Sequence, residues 1–150
     1  MKQFILEGLG ADDVMFAFGW IPVLVYVNDR PRLAGSASMF LLLTWINVKP
    51  QYFQDRGLLL HELEHCEDYY LYGGIGYVLL RKFSAKWRLF FEMKAYTRQF
   101  MEYTNNSPAR VSTDRIFNKL VDFMTFDYDT EQTRHEIAVK FRKAILLAIE

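Results

Sequence analysis

In the run Leu58-Leu59-Leu60-His61-Glu62-Leu63-Glu64-His65, two histidines stand four positions apart, with a glutamate directly after the first. On an α-helix that spacing puts both imidazoles about one turn apart on the same face. Two imidazoles so placed can grip one Zn2+, and Glu62 is left beside them to polarise a water on the metal. The chain has three histidines, and two of them are here. Without a metal, the same residues are a solvated helix face carrying two ordinary histidines.

A catalytic zinc takes three protein ligands and keeps one position open for water. The stretch from about Ala85 to Tyr103 has helical periodicity, with Ala85, Leu89, Met93, Tyr96, Phe100 and Tyr103 as its apolar stripe. Glu92 falls at the border of that stripe, where a partly buried carboxylate needs a partner. A metal is one such partner. Arg88, one turn earlier, is the other, in a helix-surface ion pair worth little. His135, in Thr133-Arg134-His135-Glu136, competes as third ligand but otherwise reads as an exposed helix histidine.

Taken in order, His61, Glu62 and His65, then Tyr69 and Tyr70, Gly73 and Gly74, the segment Gly76-Tyr77-Val78-Leu79-Leu80, and Glu92 with Ala95 and Tyr96 form a set. The chain resembles, through that set, the small zinc metallopeptidases of the zincin type whose third ligand is a glutamate, the gluzincins. It is most similar to their minimal stand-alone versions from bacteria and phages. The resemblance covers roughly residues 48 to 103. It implies His61, His65 and Glu92 as ligands of one Zn2+ per chain, Glu62 as general base, and a protein or peptide as substrate. The chain departs from the pattern at Cys66 and Asp68, where relatives carry an aliphatic and an amide residue, which bears on substrate preference. The resemblance also implies that a strand just before the motif helix, here about Leu43 to Val48, forms the rim of the cleft and pairs with extended substrate.

The chemistry expected of such a site follows from residue types. Glu62 accepts a proton from water and passes it to the leaving amine. The developing oxyanion needs a donor besides the metal. Tyr72, Tyr96 and Tyr103 are the phenol candidates, with Tyr96 assigned to the catalytic set beside Glu62; Arg98 and Gln99 are weaker ones. Asp68 is spaced to orient an imidazole. The alternative function is a zincin-fold binding or structural protein, such as a phage component, with little or no hydrolytic activity. A third possibility is a helical module in which the motif is coincidental.

With 150 residues and half of them apolar, the chain is expected to form one domain spanning 1–150. Net charge is zero and no basic stripe appears, which argues against nucleic acid as partner. The single cysteine, Cys66, has no partner for an internal disulfide, and its helical direction away from His65 makes it a core residue. The apolar start is broken by Glu7, Asp12 and Asp13, unlike a signal peptide. The apolar runs from Ile21 to Val27 and from Met39 to Val48 are too short to span a bilayer. A cytoplasmic protein without stable membrane insertion is therefore expected.

The elements that must position these residues divide the chain into a β-leaning first third and a helical remainder. The expected fold class is α+β and zincin-like: a small N-terminal antiparallel or mixed sheet, then a mainly helical core carrying the His-Glu-x-x-His helix. Ile21 to Val27 reads as a strand, β-branched and aromatic, closed by the turn signal Asn28-Asp29-Arg30-Pro31. Arg32 to Ser38 reads as a second and Phe40 to Val48 as a third. The motif helix is expected from Gln54 or Asp55 to Gly73-Gly74. Ser84 is placed to cap the Glu92 helix, and Asn105-Asn106-Ser107-Pro108 to end it. Thr113 to Phe126 is a further helix with Ile116, Leu120, Phe123 and Met124 inward. The last runs from about Glu131 to Ile149, capped by Asp129 or Thr130, with Ile137, Phe141, Ala144, Ile145 and Ala148 as its stripe.

Overall fold

A computed structural model describes residues 10–29, 31, 34–41, 43–106, 112–126 and 132–149. The fold is α+β, a four-stranded mixed sheet followed by five helices. Contacts sort the chain into two compact units, Met1–Val78 and Leu79–Glu150.

The first unit holds the sheet, with β1 (Asp13–Ala17), β2 (Ile21–Val27), β3 (Gly35–Phe40) and β4 (Leu43–Val48) in the order β1-β2-β4-β3. β1 pairs antiparallel with β2, β2 parallel with β4, and β3 antiparallel with β4. β2 has the bounds its β-branched run implies. β1 was not anticipated. The expected third strand starts later than Phe40, because the chain turns at Leu41, whose φ is 54°. A short 3-10 turn at Pro50–Tyr52 leads into α1 (Arg56–Leu71), which carries the motif.

α1 lies on the sheet. Val23, Val25, Ile46 and Val48 pack with Leu59, Leu63 and Cys66 in one buried cluster. The alternation of the strands puts every second residue on this face, so the pairing of Gly35 with Val48 places Gly35 there too. The sheet order corrects one expectation: β4 is paired on both sides, by β2 and β3, and so has no open edge for an extended peptide. Among the described residues, the open edges belong to β1 and β3, and β3 is the one that borders Glu62.

α2 (Ile75–Phe83) forms where only a connecting segment was anticipated. It follows the two glycines at positive φ, Gly73 at 70° and Gly74 at 60°, which let the chain reverse after Tyr72 closes α1.

The second unit contains α3 (Ala85–Asn106), α4 (Thr113–Phe126) and α5 (Arg134–Ile149). Tyr96 and Phe100 of α3, Leu120, Val121 and Met124 of α4, and Ile137, Phe141 and Ile145 of α5 make its core. Ser84 Oγ accepts from Trp87 N at 3.4 Å, the cap expected for α3. On α4 the inward position is Val121; Phe123, expected inside, is exposed with Lys119 over its ring. On α5, Ala148 is exposed rather than inward. The caps expected at Asp129 and Thr130 lie outside the described residues. Thr133 and Glu136 instead form a reciprocal cap: Glu136 N donates to Thr133 Oγ1 at 3.3 Å and Thr133 N to Glu136 Oε2 at 2.8 Å.

Candidate metal centre

α1 begins where Asp55 accepts the Leu58 N–H at 3.0 Å, which orders the first turn and sets the phase of everything after it. In that phase His61, Glu62 and His65 are all buried. The two imidazoles meet edge to face, with ring centroids 5.0 Å apart. The Tyr77 hydroxyl lies 3.3 Å from His65 Nδ1. A metal on Nε2 of His65 would need the proton on Nδ1, which then donates to Tyr77 Oη. Tyr77 is itself almost fully buried, so this contact is shielded from water. The orienting role expected of Asp68 thus has a tyrosine filling it at His65; Asp68 is fully buried on α1.

Glu62 sits against β3 at the one place where that strand has no side chain. A Cβ built on Gly35 would stand 3.2 Å from Glu62 Oε1 and 3.3 Å from its Cγ. Ordinary carbon contacts are longer, so the carboxylate occupies the space a larger residue would fill.

Glu92, on α3, is fully buried. Arg81, near the end of α2, donates from Nη2 to Glu92 Oε1 at 2.5 Å. Arg88 is engaged elsewhere: its Nε donates to the Arg81 carbonyl at 3.2 Å and its Nη2 to that of Lys82 at 3.5 Å. The reason is reach, since Arg88 turns back along its own helix to cover carbonyls at the end of α2 that have no helical partner. A carboxylate has about four lone-pair directions, so a guanidinium on Oε1 leaves capacity for a cation.

His61, His65 and Glu92 are a buried group that could hold a metal ion: one ligand atom from each can be chosen so that all lie within 4.8 Å of one another. Two imidazoles and a carboxylate are borderline and hard donors respectively, a set that several divalent first-row metals accept. His135 is exposed on α5 and outside this group. Among the tyrosines, Tyr96 lies one turn beyond Glu92 on α3 and is buried in the helical core. The Tyr103 hydroxyl accepts from Gln99 Nε2 at 2.9 Å. Tyr72 is the residue that closes α1. Cys66 is in the core as expected; burial pushes its thiol up to about 12, with the Glu62 and Glu67 carboxylates adding to the rise and a Thr44 hydrogen bond opposing it.

Gly35, Tyr77 and Arg81 escaped sequence reasoning as site residues. Gly35 and Arg81 carried no pattern of their own. Tyr77 lies in a segment that carries the resemblance, without a role implied there. Compared with protein-family models, with curated proteins and with solved structures, the chain matches none.

Proposed function

We propose that the protein is a zinc-dependent peptidase of the gluzincin kind, with His61, His65 and Glu92 as ligands and Glu62 as general base. The observation that carries this reading is the burial of these three donors within 4.8 Å of one another, at the spacing the motif requires. Bound zinc would supply a Lewis acid that brings the pKa of water toward neutrality. Glu62 accepts a proton from the attacking water as its oxygen bonds to the scissile carbonyl carbon. It then delivers that proton to the amide nitrogen as the C–N bond breaks. Glu62 is buried and held against Gly35, so its carboxylate meets the proton without first shedding a full shell of water. Tyr96 is proposed as donor to the developing oxyanion, because it follows Glu92 by one turn on the same helix face. An extended peptide pairs with the open edge of β3, the strand that borders Glu62.

The Arg81–Glu92 pair favours a second reading. A buried carboxylate already met by a guanidinium needs no metal for its charge, which suits a protein of this fold that binds a partner without hydrolysis. Cleavage of an unstructured protein, abolished by chelation and restored by added zinc, supports the peptidase. Stoichiometric zinc with no cleavage, at wild type or at high enzyme concentration, supports the second reading. Absence of bound zinc removes the peptidase and leaves the second reading standing.

A further inference from the structure

The two hairpins of the sheet point their turns to the same end. β2 and β4 are parallel, so the turns that lead into them sit side by side, and the pairing of Leu24 with Trp45 continues to bring Pro22 level with Leu43. These turns carry Phe18 and Trp20 in one hairpin and Phe40, Leu41 and Leu43 in the other. All five side chains are exposed, Trp20 at 74% and Leu41 at 73%.

Two of them stand in backbone positions that do not suit them. Phe18 and Leu41 have φ of 50° and 54°, and no other non-glycine residue among those described has a positive φ. Glycine or asparagine is the residue that tight hairpin turns place there. The turns keep their shape because α1 holds them. Glu67 Oε1 accepts from Phe18 N at 2.9 Å, and the Tyr69 hydroxyl donates to the Leu41 carbonyl at 2.7 Å. Both bonds take backbone atoms and leave the side chains exposed. Local stability is thus given up, twice, to display a large apolar group.

What the tips fit is set by charge and by size. Residues 14–27 and 33–48 contain no charged side chain. An ionic partner therefore finds no counter-charge at the turn end of either hairpin. Five side chains fall well short of the roughly 20–30 residues per side that a stable protein interface uses. A lipid surface needs neither charge nor shape complementarity from a few projecting Phe, Trp and Leu side chains. No helix among the described residues is long and apolar enough to cross a membrane, so the contact is peripheral.

We infer that this end of the sheet docks reversibly on a neutral phospholipid surface, with Phe18, Trp20, Phe40, Leu41 and Leu43 entering the boundary between headgroups and acyl chains. The test uses the full chain with phosphatidylcholine vesicles, reading co-sedimentation and the tryptophan emission shift. The parent should sediment with the vesicles and shift to the blue. Phe18→Asn/Leu41→Asn puts a tolerated residue at each positive φ, so its Tm should equal or exceed the parent's while vesicle binding weakens at least tenfold. Trp20→Ser, outside the strained positions, should weaken binding and remove most of the emission shift. If the double variant fails to fold, Trp20→Ser and Leu43→Ser decide the matter by the same readouts. The inference is overturned if the parent stays in the supernatant or if these variants bind like the parent. It is also overturned if binding requires anionic lipid, or if the parent is a dimer that the variants convert to monomer without changing vesicle binding.

Discussion

Replacing Gly35 with alanine probes the general base without touching it. The new Cβ would lie 3.2 Å from Glu62 Oε1 and 3.3 Å from Glu62 Cγ, with the Asn47 carbonyl at 3.5 Å on another side. Normal contact requires about 3.5–4.0 Å, so the carboxylate or the strand must yield by a few tenths of an ångström. Glu62 is buried and cannot simply swing into water. Alanine in a strand is favoured over glycine by roughly 0.5–1 kcal/mol through the unfolded chain. Overpacking a filled site costs about 1–3 kcal/mol. The cost outweighs the gain or just matches it, and Gly35→Ala should lower stability by about 0–2.5 kcal/mol. Catalysis is less forgiving, since a misplacement of about 1 Å can cost on the order of a hundredfold. With a shift of a few tenths, kcat/KM on an extended peptide should fall between about threefold and thirtyfold. Zinc content should not change, because the Cβ meets the base and no ligand. The assays are a thermal melt, a competing-chelator titration and steady-state cleavage. A variant that cleaves at the parental rate with unchanged Tm would refute the idea that Gly35 makes room for the base.

Purified protein should carry about one zinc per chain; His61→Ala or His65→Ala should abolish it and Glu92→Ala weaken it sharply, while His135→Ala leaves it nearly unchanged, as read by metal analysis and chelator competition. Zinc content unaltered in both histidine variants would dispose of the site. Glu62→Gln should keep zinc and lose on the order of a hundredfold or more in cleavage rate; a parental rate would rule out its role as base. Tyr77→Phe removes the hydroxyl from His65 Nδ1 and should weaken zinc about 10–100-fold with little change in fold by circular dichroism, and unchanged affinity would show that the contact does not orient the imidazole. Thr133 hydrogen bonds hold the Glu136 carboxyl below its ordinary value, so its support of α5 is complete above the usual glutamate range and is lost as pH falls through the lowered value. Glu136→Gln should therefore flatten the acid limb of a stability-versus-pH curve, and an unchanged limb would count against the cap.

The buried group of His61, His65 and Glu92 was legible because a metal site would impose a rule on residue types and spacing that survives in one dimension. His61 and His65 are one helical turn apart, and Glu92 betrays itself as a carboxylate among apolar neighbours. The residues that support them follow no such rule. Tyr77 and Arg81 reach their partners only after the chain reverses at Gly73 and Gly74 and forms α2, a helix that was read as a connection. Gly35 is defined by what faces it, which no local pattern records. The mixed sheet was legible, but its edge was not: the strand before the motif helix, β4, was expected to pair with substrate, whereas β2 skips β3 to pair with β4 and the edges are β1 and β3. β1 was missed because its apolar run passes into Phe18-Gly19-Trp20 without the polar punctuation that ordinarily closes a strand. Phe123 was placed inside by its apolarity, while the smaller Val121 holds the buried position beside Leu120.

The parallel seam between β2 and β4 has a consequence for how the sheet is assembled. Each flanking hairpin closes over a short loop: Ala17 meets Ile21 and Phe40 meets Leu43. The seam joins Leu24 to Trp45, 21 positions apart, and is continued by Asn28 N donating to the Val48 carbonyl at 3.0 Å. Local loops close in well under a microsecond, and the entropy lost rises with the length enclosed. The hairpins are therefore the early products and the seam the late one, formed when α1 lays Leu59, Leu63 and Cys66 across both halves. Destabilising the seam should then act mainly on the unfolding rate, and the lifetime of the native sheet rests on a join that neither hairpin contains by itself.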